Sequence, residues 1–293
     1  MFLNMKNQKI NFLVYGSNKF FLQRKHLIKL AKDSNFFDRC FEYKPKDFRR
    51  LKKNKFKEIL NQEKGSGFWL WKYFFIKEVI DKMSYGDILV YSDAGSSFNY
   101  IAKERFYYYI DLINKSNTGN LRFRMKYIEN QWTTKEIFNY FEVDPNSKFG
   151  TSGQFQATHM IFKKNENLEL ILKRFGDLLN FDPYLITDKY STINQSDTFK
   201  ENRYDQSIFR LLSKIYGCVE ISRDETCSSE ILATQKEYPF ITTRRQYTLW
   251  QKVRFLLIYP YHIRQIIYFN QRKYWFQKPS LVQRLNYKFN KKS

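Results

Sequence analysis

The chain is poor in cysteine, in histidine and, toward its end, in acid. Of its 293 residues three are Cys (Cys40, Cys218, Cys227), an odd number without metal-ligand spacing. That excludes a disulfide-built scaffold and a cysteine zinc site, and it predicts a reducing compartment, taken as the cytoplasm. Three histidines (His26, His159, His262) leave little for a histidine metal centre. No apolar run approaches the ~20 residues of a membrane-spanning helix. The N-terminal MFLNMKNQK lacks the apolar region of a signal peptide. No internal repeat or low-complexity linker is present, and a hydrophobic share of 43% excludes a disordered chain.

What is abundant is positive charge. Lys and Arg number 51 against 29 Asp and Glu, a net +22. The last acidic residue is Glu237, and from residue 241 onward 12 Lys and Arg stand alone. The tail has six Arg to six Lys, while the first 240 residues have 11 to 28, so a general bias toward Lys does not account for it. Its aromatic and aliphatic residues recur at helical spacing: Leu249, Trp250, Val253, Leu256 and Leu257, then Ile263, Ile266 and Ile267. Such a segment suits an anionic membrane surface, which would place the protein peripherally on an inner membrane face. The ordinary alternative is two helices packed on the body. Nucleic acid is the weakest partner, because no RNP, zinc-finger or KH-type motif accompanies the charge. The division of charge predicts two parts, residues 1–237 and a basic tail, 238–293.

The body alternates strand and helix signals. Ile10–Tyr15 reads as a buried strand closed by Gly16 and Ser17. Helix is predicted over 19–31 and 47–63, and strand over 37–43. Gly65-Ser66-Gly67 is a break, Trp71–Met83 a helix stopped by Gly86, and Asp87–Tyr91 the clearest strand. This alternation predicts an α/β fold, a mainly parallel sheet flanked by helices. Ligands of open α/β sheets sit beyond the carboxyl ends of strands, where Asp93-Ala94-Gly95 falls. An Asp followed by small residues can approach a ribose, a phosphate or a metal, although Asp and Gly also make plain turns.

The stretch Gly67–Gly95, GFWLWKYFFIKEVIDKMSYGDILVYSDAG, resembles the core of a group of GT-A glycosyltransferases acting on bacterial capsules, O-antigens and related glycans. Two later segments are similar to further parts of that group: Gln154-Phe155-Gln156-Ala157-Thr158 with the apolar run after it, and Asn202-Arg203-Tyr204-Asp205-Gln206-Ser207. INFLVYGS suits the first, nucleotide-binding strand. The resemblance runs in order over roughly residues 10–220, most of the chain, and leaves the tail outside.

It implies a nucleotide-sugar donor, UDP-linked in the common case, and a glycan or lipid-linked saccharide acceptor in surface-polysaccharide synthesis. It implies donor contacts at Gly16, Ser17, Trp69, Trp71, Lys72, Asp93, Ala94, Gly95, Gln154, Gln156 and Arg203, and a catalytic role for Asp205 and Gln206. It also implies a divalent Mn²⁺ or Mg²⁺ held at Asp93. Here the sequence departs from the group's Asp-x-Asp pattern, because Gly95 stands where the second carboxylate would be. Each residue has an ordinary alternative. Asp205 can cap the helix that follows it, Trp69 and Trp71 can be core, Lys72 can be solvated, and His159 reads as a core or edge histidine rather than a ligand. Two other classes remain open: a basic nucleic-acid-binding protein, and a GT-A-fold protein that no longer turns over.

Overall fold

The computed structural model describes residues 7–226 and 238–242. The predicted tail helices, the membrane surface proposed for them and Cys227 lie outside the described residues. Nine strands are found among those residues: β1 (Ile10–Tyr15), β2 (Arg39–Tyr43), β3 (Ile88–Ser92), β4 (Ser97–Phe98), β5 (Asn120–Ile128), β6 (Gly153–Phe155), β7 (His159–Lys163), β8 (Val219–Ile221) and β9 (Phe240–Ile241). Seven form one sheet in the order β2-β1-β3-β7-β5-β6, with β8 paired to β5. β1 pairs parallel with β2 and β3, and β5 with β8, whereas β7 and β6 run against their neighbours. The sheet is therefore mainly parallel in strand direction, as expected, with an antiparallel β7 inserted at its centre.

Both faces of the sheet are covered, which is why β1 and β3 read as near-continuous apolar runs, with only the buried Asn11 and Ser92 polar, rather than alternating ones. Leu13, Tyr15, Leu89, Tyr91 and Phe162 face one core, shared with the helices Leu70–Asp81, Glu166–Phe181 and Asp205–Ile215. Phe12, Val14, Ile88, Val90 and Ile161 face the other, shared with Phe21–Asp33 and Lys103–Asn114.

The topology creates a crevice. From β1 the chain moves outward to β2, then returns across the sheet to β3 on the opposite flank of β1. Connections thus diverge at the carboxyl ends of β1 and β3, the position where open α/β sheets bind ligands. Because β7 is antiparallel to β3, with Ser92 opposite His159, its first residues arrive at the same edge. The short β4–β9 pair, Ser97 opposite Ile241, brings Thr242 there as well.

Several local expectations are corrected. The single helix predicted over 47–63 is two pieces, Pro45–Leu51 and Lys57–Leu60. Asn54 breaks it by accepting the Phe56 amide at 2.8 Å, a local turn that competes with helix, in a run of mutually repelling cations. The helix after Ser17 opens with a 3-10 turn, Asn18–Phe20, and β2 begins at Arg39 rather than Phe37. The Gly65-Ser66-Gly67 break is a left-handed turn: Gly65, Ser66, Gly67, Phe68 and Trp69 all have φ between 52° and 88°.

Candidate functional site

A cleft of about 540 Å³ opens at this edge of the sheet. Its first wall is the turn after β1, with Gly16, Ser17 and Lys19, facing the turn after β3, with Asp93 to Ser96. Gly16 is needed for the two turns to approach: a Cβ there would lie 3.0 Å from the Ala94 Cβ and 3.2 Å from the Phe20 Cβ. Its carbonyl accepts a bond from the buried Arg24 guanidinium, which also pairs with Glu42 at 3.0 Å and so fixes the turn. Asp93 is held by its amide, which donates to the Thr158 carbonyl at 2.9 Å, and by a turn in which Ser96 N reaches the Asp93 carbonyl at 3.0 Å. Ser96 lines the cleft, and its Oγ is buried with no hydrogen-bond partner among the described residues.

The opposite wall is built from strained backbone. A left-handed helical conformation costs roughly 1–2 kcal/mol for each non-glycine residue. Ser66, Phe68 and Trp69 all adopt it, and Tyr204 holds φ 57° and ψ −125°. Such strain persists only where surroundings over-determine it. Here Trp71 Nε1 donates to the Gly65 carbonyl at 3.0 Å, and the Trp69 ring stacks on Tyr204 with centroids 5.3 Å apart. The buried Asn202 donates to the carbonyls of Leu185 and Thr187. Ser207 receives the Arg203 amide at 3.0 Å and donates to the Trp132 carbonyl at 2.8 Å. The two strained segments thereby set Lys72 and Asp205 facing each other.

At the floor Lys72 is fixed by three acceptors. Its ammonium lies 3.0 Å from Asp205 Oδ2, 3.4 Å from Asp93 Oδ1 and 3.2 Å from the Ala157 carbonyl. Lys72 and Asp205 are almost fully buried, whereas the Asp93 side chain is 32% exposed. Asp205 is the first residue of the helix Asp205–Ile215, whose N-cap position is Tyr204, and its carboxylate pairs with Lys72. Burial pushes the Asp205 carboxyl up to about 6, with Asp93 adding to the rise and Lys72 and Arg210 opposing it. Burial pulls Lys72 down, but Asp205 and Asp93 outweigh it and the ammonium is held above the usual lysine range. At neutral pH the pair is ionic. Tyr91 donates its phenol to Asp93 Oδ1 at 2.5 Å; burial, then the Asp93 charge, hold the phenol protonated well beyond its ordinary range.

The structure brings together at the cleft Gly16, Ser17, Trp69, Trp71, Lys72, Asp93, Ala94, Gly95, Arg203, Asp205 and Gln206. The Gln206 amide is tied to the Phe155 carbonyl at 3.1 Å. Gln154 and Gln156 do not reach the cleft. Gln154 is buried and donates to Glu129 at 3.2 Å, while Gln156 accepts the Thr158 and His159 amides. Both hold backbone and a buried charge at the β6–β7 turn. His159 is core, as its sequence context implied, with Nδ1 2.9 Å from Ser92 Oγ and its ring stacked on Phe240. Sequence reasoning missed Tyr91, Ser96, Lys19 and Tyr204. The first has the period-two relation to Asp93 that could have exposed it; the others carry no local signal.

A divalent ion wants several oxygen ligands, at least one or two of them anionic. In this cleft the space between the two facing carboxylates already holds the Lys72 ammonium, Asp93 Oδ1 is engaged by Tyr91, and Gly95 supplies no side-chain oxygen. Among the described residues no group of three or more His, Cys, Asp or Glu is placed to hold a metal. The donor set does not fit the ion that the sequence resemblance implies.

No protein-family model matches the chain, and no curated protein sequence does. Among solved structures it is similar to a glycosyltransferase involved in glycosylation of the major capsid of PBCV-1, at 11% identity and TM-score 0.45, over 80% of this chain and 91% of that one. It is similar to the bifunctional glycosyltransferase WbbM at 12% identity and TM-score 0.47, over 81% of this chain and 46% of that one. A third likeness is to the galactosyltransferase LgtC, solved with donor and acceptor sugar analogues, at 10% identity and TM-score 0.37, over 72% of each chain. These are likenesses of backbone outline.

Proposed function

We propose that this chain is a glycosyltransferase that takes a sugar from a nucleotide-sugar donor, UDP-linked in the first instance, and passes it to a glycan or lipid-linked saccharide in surface-polysaccharide synthesis. The observation that carries the reading is the Lys72 ammonium set between Asp93 and Asp205 at the β1/β3 crevice. The Gly67–Gly95 motif, with its helix and its Asp-Ala-Gly turn, converges on that same spot. On this reading the nucleotide lies along the β1 and β3 turns. There Ser96 Oγ offers an unfilled hydrogen bond, and Lys19 and Arg203 face the diphosphate from the two sides.

Asp205 is the group that handles the acceptor. The bond from the anomeric carbon to the diphosphate oxygen breaks, and its electron pair leaves with the diphosphate. The acceptor oxygen bonds to that carbon and gives its proton to the Asp205 carboxylate. Fixed cations beside the departing diphosphate stabilise its charge without reorganising. A carboxyl near 6 is matched to base catalysis around neutral pH. The acid-free tail, with its +12 charge, supports a working place at the anionic inner face of a membrane, where lipid-linked acceptors lie.

A thermal-shift screen of nucleotide sugars tests the reading, since a ligand of the folded state raises stability by mass action. One class of donor is expected to raise the midpoint, and Asp93→Ala to remove the rise. Failure of every nucleotide and nucleotide sugar to shift it would end the proposal.

A further inference from the structure

A glycosyl donor brings a diphosphate, and the sequence resemblance pairs that diphosphate with a divalent ion. The cleft disagrees. Lys72 reaches its place because the left-handed turn Gly65–Trp69 feeds directly into the helix Leu70–Asp81, whose third residue it is. Once there it has no freedom to swing aside. It has three oxygen acceptors, and its ammonium packs over the ring of Tyr91, 5.3 Å from the centroid. An ion bridging Asp93 and Asp205 at ordinary Mg²⁺ or Mn²⁺ distances would have to share this space with a like charge.

We propose that Lys72 is the built-in cation of the site, so that binding of the nucleoside diphosphate and transfer from it need no divalent metal. The inference rests on the glycosyltransferase reading above and names how that site neutralises its donor. Lys72 offsets one of the two carboxylate charges that would otherwise repel a diphosphate, and it stands beside the position where the leaving charge develops. Lys19, exposed at the mouth and without an ion pair among the described residues, is free to add a second positive charge from the β1 side. The motif's change from Asp-x-Asp to Asp-Ala-Gly and the lysine between the carboxylates are then two halves of one arrangement: the second metal-binding carboxylate is absent where the metal is replaced.

The test is calorimetric titration of UDP into the full chain, once after exhaustive chelation with EDTA and once with Mn²⁺ added. The expected dissociation constants agree within about twofold, a difference of less than half a kilocalorie per mole. In Lys72→Met the affinity in EDTA is expected to fall about tenfold or more. Mn²⁺ should restore it, because the vacated space between the two carboxylates becomes a metal site. Binding of UDP to the wild type only with Mn²⁺ would overturn the inference and leave the glycosyltransferase reading standing. So would a folded Lys72→Met that binds UDP in EDTA as well as the wild type does. Absence of UDP, GDP and CMP binding under both conditions would overturn the reading and the inference together. If Lys72→Met does not fold, electron paramagnetic resonance of Mn²⁺ with the wild-type protein decides. Bound Mn²⁺ no greater than free UDP accounts for supports the inference, and tightly held Mn²⁺ in a protein–UDP–metal complex overturns it.

Discussion

Lys72 and Asp205 form an ion pair, Nζ to Oδ2 at 3.0 Å, in which both side chains are nearly closed off from water. Truncating one partner of such a pair strands a buried charge. Lys72→Met is expected to destabilise the protein at neutral pH by about 3 kcal/mol, the lower end of the range for broken buried pairs. The deficit should shrink near pH 5. Lys72 opposes the burial-driven rise of Asp205, so without it Asp205 protonates more readily and the stranded charge disappears. Denaturant unfolding of both proteins at the two pH values measures this.

In the proposed transfer the Asp205 carboxyl, raised to about 6, sets the pH profile. The base is effective only when ionised. kcat/KM for transfer should therefore fall about tenfold per pH unit below 6 and level off above it. Asp205→Asn should remove that limb together with most of the rate.

The left-handed turn makes Gly67 irreplaceable. It has φ +88°, and a Cβ there would sit 2.6 Å from the Leu60 Cα and 2.9 Å from the Ile59 carbonyl oxygen, both backbone atoms that cannot rotate away. Gly67→Ala is expected to cost at least about 2 kcal/mol, above the usual effect of a surface substitution. It should also lower donor affinity by displacing Trp69 and Lys72. A thermal melt and a UDP titration check the two parts.

Gln154 should behave in the opposite way. Its amide satisfies Glu129 and does not reach the cleft. Glu129 keeps Thr133 and Lys214 as partners, so Gln154→Ala should cost about 1 kcal/mol, the worth of one hydrogen bond, with UDP affinity unchanged.

His159 gives an acid-sensitive stability. Burial, then the Lys72 charge, push its imidazole down to about 3 from an ordinary 6.5. The unfolded chain takes up the proton first, so stability is intact above 6.5 and is lost as pH falls toward 3. Unfolding free energies of the wild type and His159→Asn over that range should converge as pH drops.

The strands Ile10–Tyr15 and Ile88–Ser92 were legible because burial on both faces writes itself as near-continuous apolar runs, whereas Asn120–Ile128, with Arg122, Arg124 and Lys126 along it, did not read as a strand. The position of Asp93 followed from the end of the strongest strand. The antiparallel insertion of β7 was not legible, since a short buried strand carries no mark of its direction. Nor was the left-handed path through Phe68 and Trp69, which ordinary propensity disfavours and only tertiary packing imposes. Gln154 and Gln156 looked like polar ligands because sequence shows a side chain's chemistry and not its partner; here the partners are Glu129 and backbone amides. The pairing of Lys72 with Asp205 spans 133 positions and depends on that same unpredicted turn.

The central claim is that the cleft around Asp93 and Asp205 transfers sugar from a nucleotide donor. It is tested most directly by release of nucleoside diphosphate from a panel of nucleotide sugars, compared between the wild type and Asp205→Asn at pH 7.5. The account predicts release from one donor class by the wild type and a loss of about 100-fold or more in the variant, the usual worth of a general base. Equal release by both proteins, or none from any donor by the wild type, would contradict it.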